Sequence, residues 1–204
     1  MTKKIRKIEL SDAEAVCKIY APFVSSGATS FETEAPDAAA IAKRIGELTV
    51  QYPWLVFEAE SRVLGYAYAC LHRARRAYQW GVEVSVYVHE SACRCGVGQA
   101  LYNSLFEILR RQGYVNVYAG ITLPNPASVG LHESLGFVAV GVYPRIGFKF
   151  GKWHDVMWLQ LRLSDAPTPI SAPIPAGEFF ADERVTAVFE REAQTTRYAP
   201  GPLR

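Results

Sequence analysis

The feature that most constrains this chain is a glycine-containing turn, Arg94-Cys95-Gly96-Val97-Gly98-Gln99, which lies between a predicted strand and a predicted helix. Glycine lets the backbone approach a ligand closely and adopt a positive φ angle. The start of the following helix offers unpaired N–H groups and a partial positive charge. Such a turn suits an anion, in particular a pyrophosphate, and Arg94 can add a charge-assisted hydrogen bond.

The turn does not by itself identify a ligand, because a purely structural turn before a helix has the same appearance. Two nucleotide-binding forms are excluded by spacing. A Walker phosphate loop requires Gly-Lys-Ser or Gly-Lys-Thr, which is absent here. A dinucleotide-binding turn requires a third glycine three residues after Gly98, where this chain has Leu101.

Hydrophobic periodicity predicts strands and helices that are interleaved without a regular βα repeat. Strands are predicted at 5–10, 54–60, 63–72, 82–88, 115–121, 138–143 and 155–163. Helices are predicted from Ser11 to about Val24, from Pro36 through Leu48, over 99–111, and from Asn125 to Gly136. This order predicts an α/β (α+β) fold with a mixed sheet and helices on both of its faces.

The composition changes after residue 163. Pro167, Pro169, Pro173 and Pro175 predict an extended, poorly packed segment. A short helix is expected at 182–193, where apolar residues return at helical spacing. We therefore divide the chain into a domain, 1–163, and a proline-rich C-terminal extension, 164–204.

Charge and cysteine content narrow the class of protein. The formal net charge is +2, which predicts no general attraction to nucleic acid or to an anionic membrane. No apolar run approaches the roughly 20 residues that span a bilayer, and no secretory core follows the basic start, so a cytoplasmic location is expected. The four cysteines are expected to be free thiols. A metal site formed by His89, Cys93 and Cys95 is the less favoured alternative, because their spacing is unusual for ligands.

Several short stretches carry a resemblance to a known family. The stretches are Tyr52-Pro53-Trp54-Leu55-Val56, Ala74-Arg75, Ala77-Tyr78, Val86-Tyr87-Val88, Leu123-Pro124-Asn125, His132-Glu133, Gly136-Phe137 and Trp153-His154-Asp155-Val156. Together with the turn, they resemble the GNAT superfamily of N-acetyltransferases. Within it, they are most similar to phosphinothricin acetyltransferase and its methionine sulfoximine-acetylating relatives, over roughly residues 4–163.

The resemblance implies a mixed, mostly antiparallel sheet of about seven strands and acetyl-CoA as co-substrate, with no metal. It implies transfer of an acetyl group to the amine of a small amino-acid-like substrate, by direct attack on the thioester. It also implies a homodimer, with neither nucleic acid nor membrane as a partner. Two alternatives stay open: a protein N-terminal or lysine acetyltransferase, and a non-catalytic module that binds acetyl-CoA.

By similarity, three groups of residues bind the cofactor. A splayed strand exposes backbone groups to the pantetheine arm, the turn binds the pyrophosphate, and the next helix contacts the cofactor from its start. These residues are Val86, Tyr87 and Val88; Arg94, Cys95, Gly96, Val97, Gly98 and Gln99; and Asn125 and Ser128. Cys93 departs from the family, which usually has Gln or Arg there, so a side-chain contribution at that position is in doubt.

Two residues are candidates for the chemistry. An α-amino group has a pKa of about 8, so a base must remove a proton before it can attack a thioester. Glu83 matches the family's catalytic carboxylate, although a solvent-facing strand glutamate is the more common situation without that resemblance. His132 lies where many family members have a tyrosine that protonates the leaving thiolate. An imidazole can donate a proton near neutral pH, or His132 can simply position the cofactor.

Substrate recognition is expected from a basic cluster before the catalytic strand. Arg73, Arg75 and Arg76 can grip a substrate carboxylate, because arginine binds carboxylates in bidentate fashion. Arg75 matches the family best, and a solvated surface cluster is the alternative. Phe31 and Tyr78 are candidates for the walls of the pocket, and burial in the core is the equal alternative.

Overall fold

The computed structural model describes residues 2–165 and 171–199. Within these residues there are seven strands: β1 Lys3–Lys7, β2 Trp54–Ala59, β3 Arg62–Leu71, β4 Gly81–Val88, β5 Asn116–Thr122, β6 Val138–Lys149 and β7 Lys152–Arg162. The same residues form five α-helices: α1 Ala13–Ser25, α2 Ala38–Leu48, α3 Val97–Gln112, α4 Pro126–Ser134 and α5 Glu183–Thr195.

The strands form one sheet in the order β1-β2-β3-β4-β5-β7-β6. Neighbouring strands are antiparallel except β4 and β5, which are parallel. The predicted mixed, mostly antiparallel sheet of about seven strands is therefore confirmed. The single parallel pair lies near the centre of the sheet and is formed by the start of β4, whose other end leads towards α3.

Two apolar clusters cover the two faces of the sheet. On one face α3 and α5 pack over a cluster that includes Leu101 and Leu105. On the other face α1 and α2 pack over a smaller cluster that includes Ile41 and Trp54. Side chains alternate along a strand, so β4 sends Val82 and Val84 into the first cluster and directs Glu83, Ser85 and Tyr87 to the opposite face.

The parallel pair separates soon after it forms. β4 pairs with β5 only from Gly81 to Glu83, opposite Asn116 to Tyr118. β4 stays paired with β3 as far as Val88, and β5 stays paired with β7 as far as Thr122. Beyond Glu83, each of the two strands therefore has one edge without a strand partner among the described residues.

Several boundaries differ from the sequence-based expectation. α1 begins at Ala13 rather than Ser11, because the Asp12 carboxylate accepts a hydrogen bond from the Glu9 amide at 2.8 Å and closes a short 3₁₀ turn first. β1 ends at Lys7 rather than residue 10 for the same reason. The Asn125 cap is confirmed, since its Oδ1 accepts from the Ser128 amide at 3.1 Å.

The last two strands are longer than predicted. β6 runs to Lys149 rather than ending at Tyr143, and β7 begins at Lys152 rather than Asp155. Pro144 and the glycines around it suggest a loop, but the structure absorbs them as a register shift between Tyr143 and Gly147. The hairpin closes at Phe150 and Gly151, both with positive φ.

The described part of the C-terminal extension, 171–199, is packed against the sheet domain. Its α5 lies close to the helix expected at 182–193. Ala176, Val185, Phe189, Ala193 and Tyr198 are buried in the same cluster as α3. α5 packs there through an apolar stripe, whereas residues 171–175 of the proline-rich stretch have no regular secondary structure and are largely exposed. The four prolines include Pro167 and Pro169, which lie outside the described residues, and the division at residue 163 stays a prediction.

Candidate active site

The glycine-containing turn joins β4 to α3 with two left-handed residues. Arg94 has φ of 57° and Gly96 has φ of 82°, so the chain reverses in a conformation that favours glycine at the second position. Gly98 lies against Leu131, which a Cβ at that position would approach to 3.2 Å. The two glycines therefore have different tasks: Gly96 permits the turn, and Gly98 permits the close packing of α3.

The start of α3 keeps its hydrogen-bonding capacity. Side chains of Asp37, Asn125 and Asp182 cap α2, α4 and α5 respectively. No side chain of the described residues caps α3. Its first amides, from Val97 to Gln99, are thus able to donate to an anion, reinforced by the helix dipole.

A narrow cleft lies where β4 and β5 separate. It is lined by Val84, Ser85, Val86 and Tyr87 on one side and by Ala119, Gly120, Ile121 and Thr122 on the other, with Thr29, Tyr102, Asn125, Ser128 and His132 around them. A strand edge offers N–H and C=O groups to a ligand that runs alongside it. The cleft thus brings together the predicted strand residues Val86 and Tyr87 with the predicted α4 residues. Val88 lies one residue further along, at the end of β4.

A larger cavity of about 420 Å³ opens from the same strands. It contains Glu83 and shares Thr29, Val84, Ser85, Gly120 and Thr122 with the cleft. The rest of its wall is Phe31, His72, Arg73, Tyr143, Ile146, Val156 and Trp158. Cleft and cavity are therefore continuous, and Glu83 lies on the cavity side of their junction.

Glu83 has a neighbour that the sequence analysis missed. The Nδ1 atom of His72 lies 2.9 Å from Glu83 Oε1. The imidazole is stacked on the ring of Tyr118, with centroids 4.3 Å apart, and Trp158 meets it edge-on at 5.8 Å. An ionised carboxylate only accepts hydrogen bonds, so the pair fixes Oε1 and leaves Oε2 without a partner among the described residues.

His132 is almost fully buried and has both ring nitrogens engaged. Nδ1 lies 2.7 Å from the carbonyl oxygen of Ser128, and Nε2 lies 3.2 Å from the hydroxyl of Tyr102. Burial lowers the pKa of His132, and burial raises the pKa of Tyr102 far above its usual value. The consistent arrangement is a neutral imidazole whose Nδ1–H donates to Ser128 and whose Nε2 accepts the Tyr102 O–H.

A loop between α1 and α2 supplies Thr29 and Phe31 to the site. The buried Lys149 donates from Nζ to the carbonyl oxygens of Val24 and Ser30, at 2.6 and 2.8 Å. The ring of Phe31 occupies the space above Gly147, where any Cβ would collide with it. The loop is therefore fixed to β6, the strand that forms the far wall of the cavity.

The structure separates the predicted substrate residues. Phe31 and Arg73 line the cavity that contains Glu83. Tyr78 lines a neighbouring cavity of about 310 Å³, on the other side of His72. Arg75 precedes the 3₁₀ turn that holds Tyr78, is exposed, and lines neither cavity.

Other observations bear on cofactors and location. No group of three His, Cys, Asp or Glu side chains among residues 2–165 and 171–199 is placed to hold a metal ion. In the same ranges, none of the helices has the length and apolar character that crossing a membrane requires. The four cysteines are not in disulfides.

Comparison with known proteins agrees with this geometry. The family profile "Acetyltransferase (GNAT) domain" matches residues 5–158. Phosphinothricin N-acetyltransferase of Streptomyces viridochromogenes is 40% identical over 169 residues, covering 82% of this chain and 92% of that protein. The L-methionine sulfoximine/L-methionine sulfone acetyltransferase of Salmonella typhimurium is 34% identical over 166 residues, covering 81% and 97%.

Solved structures show the same fold. A GNAT superfamily phosphinothricin acetyltransferase from Sinorhizobium meliloti, solved with acetyl-CoA, has a TM-score of 0.78 at 33% identity, covering 85% of this chain and 94% of that one. An acetyltransferase of Salmonella typhimurium with its cofactor acetyl-CoA has a TM-score of 0.79 at 32% identity, covering 85% and 99%. On the profile match and the similarity to these relatives, the chain belongs to the GNAT superfamily of N-acetyltransferases.

Proposed function

We propose that this protein transfers the acetyl group of acetyl-CoA to the amine of a small amino-acid-like substrate, of the phosphinothricin or methionine sulfoximine type. The observation that carries the proposal is the continuity between the cleft at β4 and β5 and the cavity that contains Glu83. A thioester held in the cleft meets an amine held in the cavity at the place where the two spaces join. The names of the relatives support both the donor and the class of acceptor.

The residues of the cleft and turn fit acetyl-CoA. The free edge of β4 from Val86 to Val88 pairs with the amides of the pantetheine arm, as a further strand would. The uncapped amides of α3 and the Arg94 side chain bind the pyrophosphate. Asn125 and Ser128 contact the cofactor from the start of α4. When bound, acetyl-CoA supplies the acetyl group as an activated thioester.

Glu83 acts as the general base. Its Oε2 takes a proton from the substrate ammonium, and the amine lone pair then forms the new C–N bond at the thioester carbonyl carbon. The carbonyl π electrons move to oxygen, where a backbone N–H of β4, at Val86 or a neighbour, stabilises the negative charge. As the C=O re-forms, the C–S bond breaks, the nitrogen releases its second proton to solvent, and the departing thiolate takes a proton from solvent.

A covalent acetyl-enzyme on cysteine is disfavoured. Cys70 pairs with Glu83 across β3 and β4. Burial, with the nearby Glu83 charge, raises the pKa of Cys70 to about 12. Because the thiolate is the nucleophile, this thiol is inert at neutral pH, and direct attack by the amine is the route that the site supports.

We assign His132 to positioning rather than to proton donation. Its lowered pKa and its contact with the Ser128 carbonyl leave a neutral ring whose Nε2 accepts. Such a ring orients the Tyr102 hydroxyl, which also lines the cleft. The single Tyr102 proton is then used in the hydrogen bond to His132, so the two residues together shape the cleft and the departing thiolate takes its proton from solvent.

Arg73 is the arginine best placed to bind the substrate carboxylate. It lines the cavity with Glu83, whereas Arg75 does not. An amino acid whose carboxylate is gripped by Arg73 presents its α-amine to the cavity interior. Phe31, Tyr143 and Trp158 then surround the substrate side chain with apolar walls.

The test is a panel of acceptors assayed with acetyl-CoA by thiol release. It includes phosphinothricin, methionine sulfoximine, methionine sulfone, the common amino acids and short peptides with free N-termini or lysines. We expect turnover of one or a few amino-acid-like amines, and a fall of about 10²- to 10⁴-fold in kcat for Glu83→Gln at unchanged affinity for acetyl-CoA. Glu14→Gln, at an exposed position on α1, serves as the matched control.

Two outcomes contradict the proposal. Preferred turnover of peptides would assign the chain to the protein acetyltransferases. Binding of acetyl-CoA without turnover of any acceptor would make it a non-catalytic module.

We also propose that the protein is a homodimer that buries β6. This strand is the last in the sheet and pairs only with β7 among the described strands. Val138, Val140 and Phe148 are 63%, 56% and 60% exposed, and an exposed apolar edge strand is a surface that soluble proteins normally cover. We expect sedimentation to give a dimer and Val140→Glu to give a monomer, while a wild-type monomer would refute the proposal. Acetyl-CoA as donor and free cysteines support a cytoplasmic location.

A further inference from the structure

The end of the C-terminal extension lies against the pyrophosphate turn. The backbone N–H of Arg197 donates to the carbonyl oxygen of Cys95 at 2.8 Å. The Cα atom of Thr196 lies 3.9 Å from the place where a Cβ on Gly96 would be. Two successive residues of the extension therefore contact two successive residues of the turn.

Interactions of the residues on either side of Arg197 stabilise its contact with the turn. The Nζ of Lys3, in β1, donates to the carbonyl oxygen of Thr196 at 2.7 Å. Tyr198 is buried and meets Phe57 edge-on, with ring centroids 6.4 Å apart. The chain is thus held on both sides of Arg197, and the position of its amide is determined by the core.

The helix that leads to Thr196 is also attached to α3. Asn103 donates to Glu192 at 2.9 Å, and Arg111 pairs with Asp182 at 3.2 Å. Val185, Phe189 and Ala193 pack into the shared apolar cluster. α5 therefore connects the body of α3 with the turn that precedes it.

The family profile matches residues 5–158, so Cys95 lies inside the match and Arg197 lies beyond it. The turn contains Arg94, a non-glycine residue with φ of 57°, and such backbone has to be held by its surroundings. An external donor to Cys95 restricts the turn before any ligand arrives. Binding to a preorganised turn costs less ordering entropy.

We propose that residues 183–199 form a brace for the pyrophosphate turn and that Arg197 adds a second cation beside Arg94 for the phosphates of CoA. The Arg197 side chain is exposed, while its backbone N–H is bonded to Cys95. The guanidinium group is therefore attached to backbone that lies beside the turn. This inference rests on the proposed use of acetyl-CoA. It predicts that the extension raises affinity for the cofactor and leaves the acetyl-transfer step alone.

Two substitutions at one position separate the brace from the charge. Arg197→Ala removes the cation and keeps the amide donor. Arg197→Pro removes both, since proline has no N–H. The preceding Thr196 has φ of −69° and ψ of 138°, a conformation that tolerates a following proline. Lys18→Ala, which removes an exposed cation on α1, is the matched control.

The measurement is the dissociation constant of CoA by calorimetry at two salt concentrations, with kcat and the amine KM at saturating acetyl-CoA. We expect about a fivefold weaker CoA affinity and a smaller salt dependence for Arg197→Ala, and about a 20-fold weaker affinity for Arg197→Pro. We expect Lys18→Ala to match the wild type, and kcat to stay within about twofold throughout. Hydrogen exchange at residues 94–98 should quicken in Arg197→Pro alone.

Wild-type CoA affinity in a folded Arg197→Pro variant overturns the inference. If both variants lose affinity equally, the charge is supported and the brace is refuted. A wild-type protein that fails to bind CoA is a different result, because it refutes the proposed function itself.

Discussion

His72 and Glu83 face each other across the end of β3 and the start of β4, with Nδ1 and Oε1 2.9 Å apart. Packing restricts the imidazole to this position, because Tyr118 stacks on its face and Trp158 meets it edge-on. One carboxylate oxygen of Glu83 is therefore fixed by a side chain that belongs to the same cavity. The orientation of the proposed base depends on a neighbour that does not itself need to touch the substrate.

This arrangement predicts that His72→Ala impairs the chemical step. The carboxylate loses its orienting hydrogen bond, and we expect kcat to fall about 10- to 100-fold with little change in acetyl-CoA affinity. His72→Asn places an amide N–H near the position of Nδ1 and should restore part of the rate. Steady-state kinetics on the two variants provide the check, and a His72→Ala enzyme with full kcat would show that Glu83 needs no positioning.

A second prediction concerns the wall of the cavity. A methyl group at position 147 would collide with the Phe31 ring, so Gly147→Ala should displace Phe31 and raise the KM for the amine about 10-fold. Affinity for acetyl-CoA should not change. Gly141→Ala on the same strand is the control, because no atom lies within 4 Å of its added Cβ. Equal amine KM values for the two variants would exclude Phe31 from the substrate pocket.

The loss of folding stability at acidic pH should depend on Asp12. Burial raises the pKa of this carboxyl, but hydrogen bonds from Arg6 and the Glu9 amide outweigh burial and hold the pKa below its usual value. The stabilisation is therefore complete above about pH 4, the pKa of an unfolded aspartate, and is lost as pH falls through the lower native pKa. Glu58 and Glu32 contribute in the same direction.

Urea unfolding of wild type and Asp12→Asn between pH 2 and pH 7 tests this prediction. We expect Asp12→Asn to be less stable by about 2 kcal/mol at pH 7 and the difference to shrink towards zero near pH 2. Glu14→Gln, which breaks only an exposed pair with Lys18, should follow the wild type throughout. A pH-independent difference would mean that Asp12 acts by shape alone.

His132 should make the free energy of unfolding depend on pH in a less acidic range than Asp12 does. Its pKa is lowered in the folded protein by burial, so protonation favours unfolding. The contribution of neutral His132 is complete above its unfolded pKa of about 6.5 and is lost as pH falls from there towards the lowered native value. The stability lost in His132→Asn should consequently be larger at pH 7.5 than at pH 5.5.

Nitrogen NMR gives an independent reading of the same residue. A neutral ring protonated at Nδ1 at pH 7 is the expected result, with the Tyr102 hydroxyl as donor to Nε2. A protonated, positively charged ring at that pH would instead restore His132 as a candidate proton donor.

Features of the fold that depend on local sequence could be predicted, whereas those that depend on distant parts of the chain could not. The Asn125 cap and the stop of α3 at Gly113 could be predicted because each depends on local backbone chemistry, and the structure shows a side-chain cap and a left-handed glycine there. The length of β6 could not be predicted, because proline and glycine, here Pro144 and Gly147, usually end a strand. In the structure, β6 continues through them with a register shift in its pairing with β7. The packing of α5 depended on an apolar partner surface far away in the chain.

The site divides in the same way. Family resemblance pointed to the turn and to Glu83, but not to His72, which follows a strand and has no motif. Only the antiparallel register of β3 and β4, with Cys70 opposite Glu83, places His72 beside the carboxylate. Tyr102 escaped notice because a tyrosine within an amphipathic helix resembles ordinary core. Among the arginines, choosing Arg73 over Arg75 required the cavity wall itself.

The early separation of β4 and β5 has a mechanical consequence. Within the sheet, strands β1 to β4 are joined to β5, β7 and β6 by only three residue pairs, from Gly81 to Glu83. The cleft opens beyond these pairs, so a molecule bound in it lies between the two parts of the sheet. A bound molecule that contacts both parts would restrict any change in their separation. That separation would in turn determine how readily the cofactor enters and leaves the cleft.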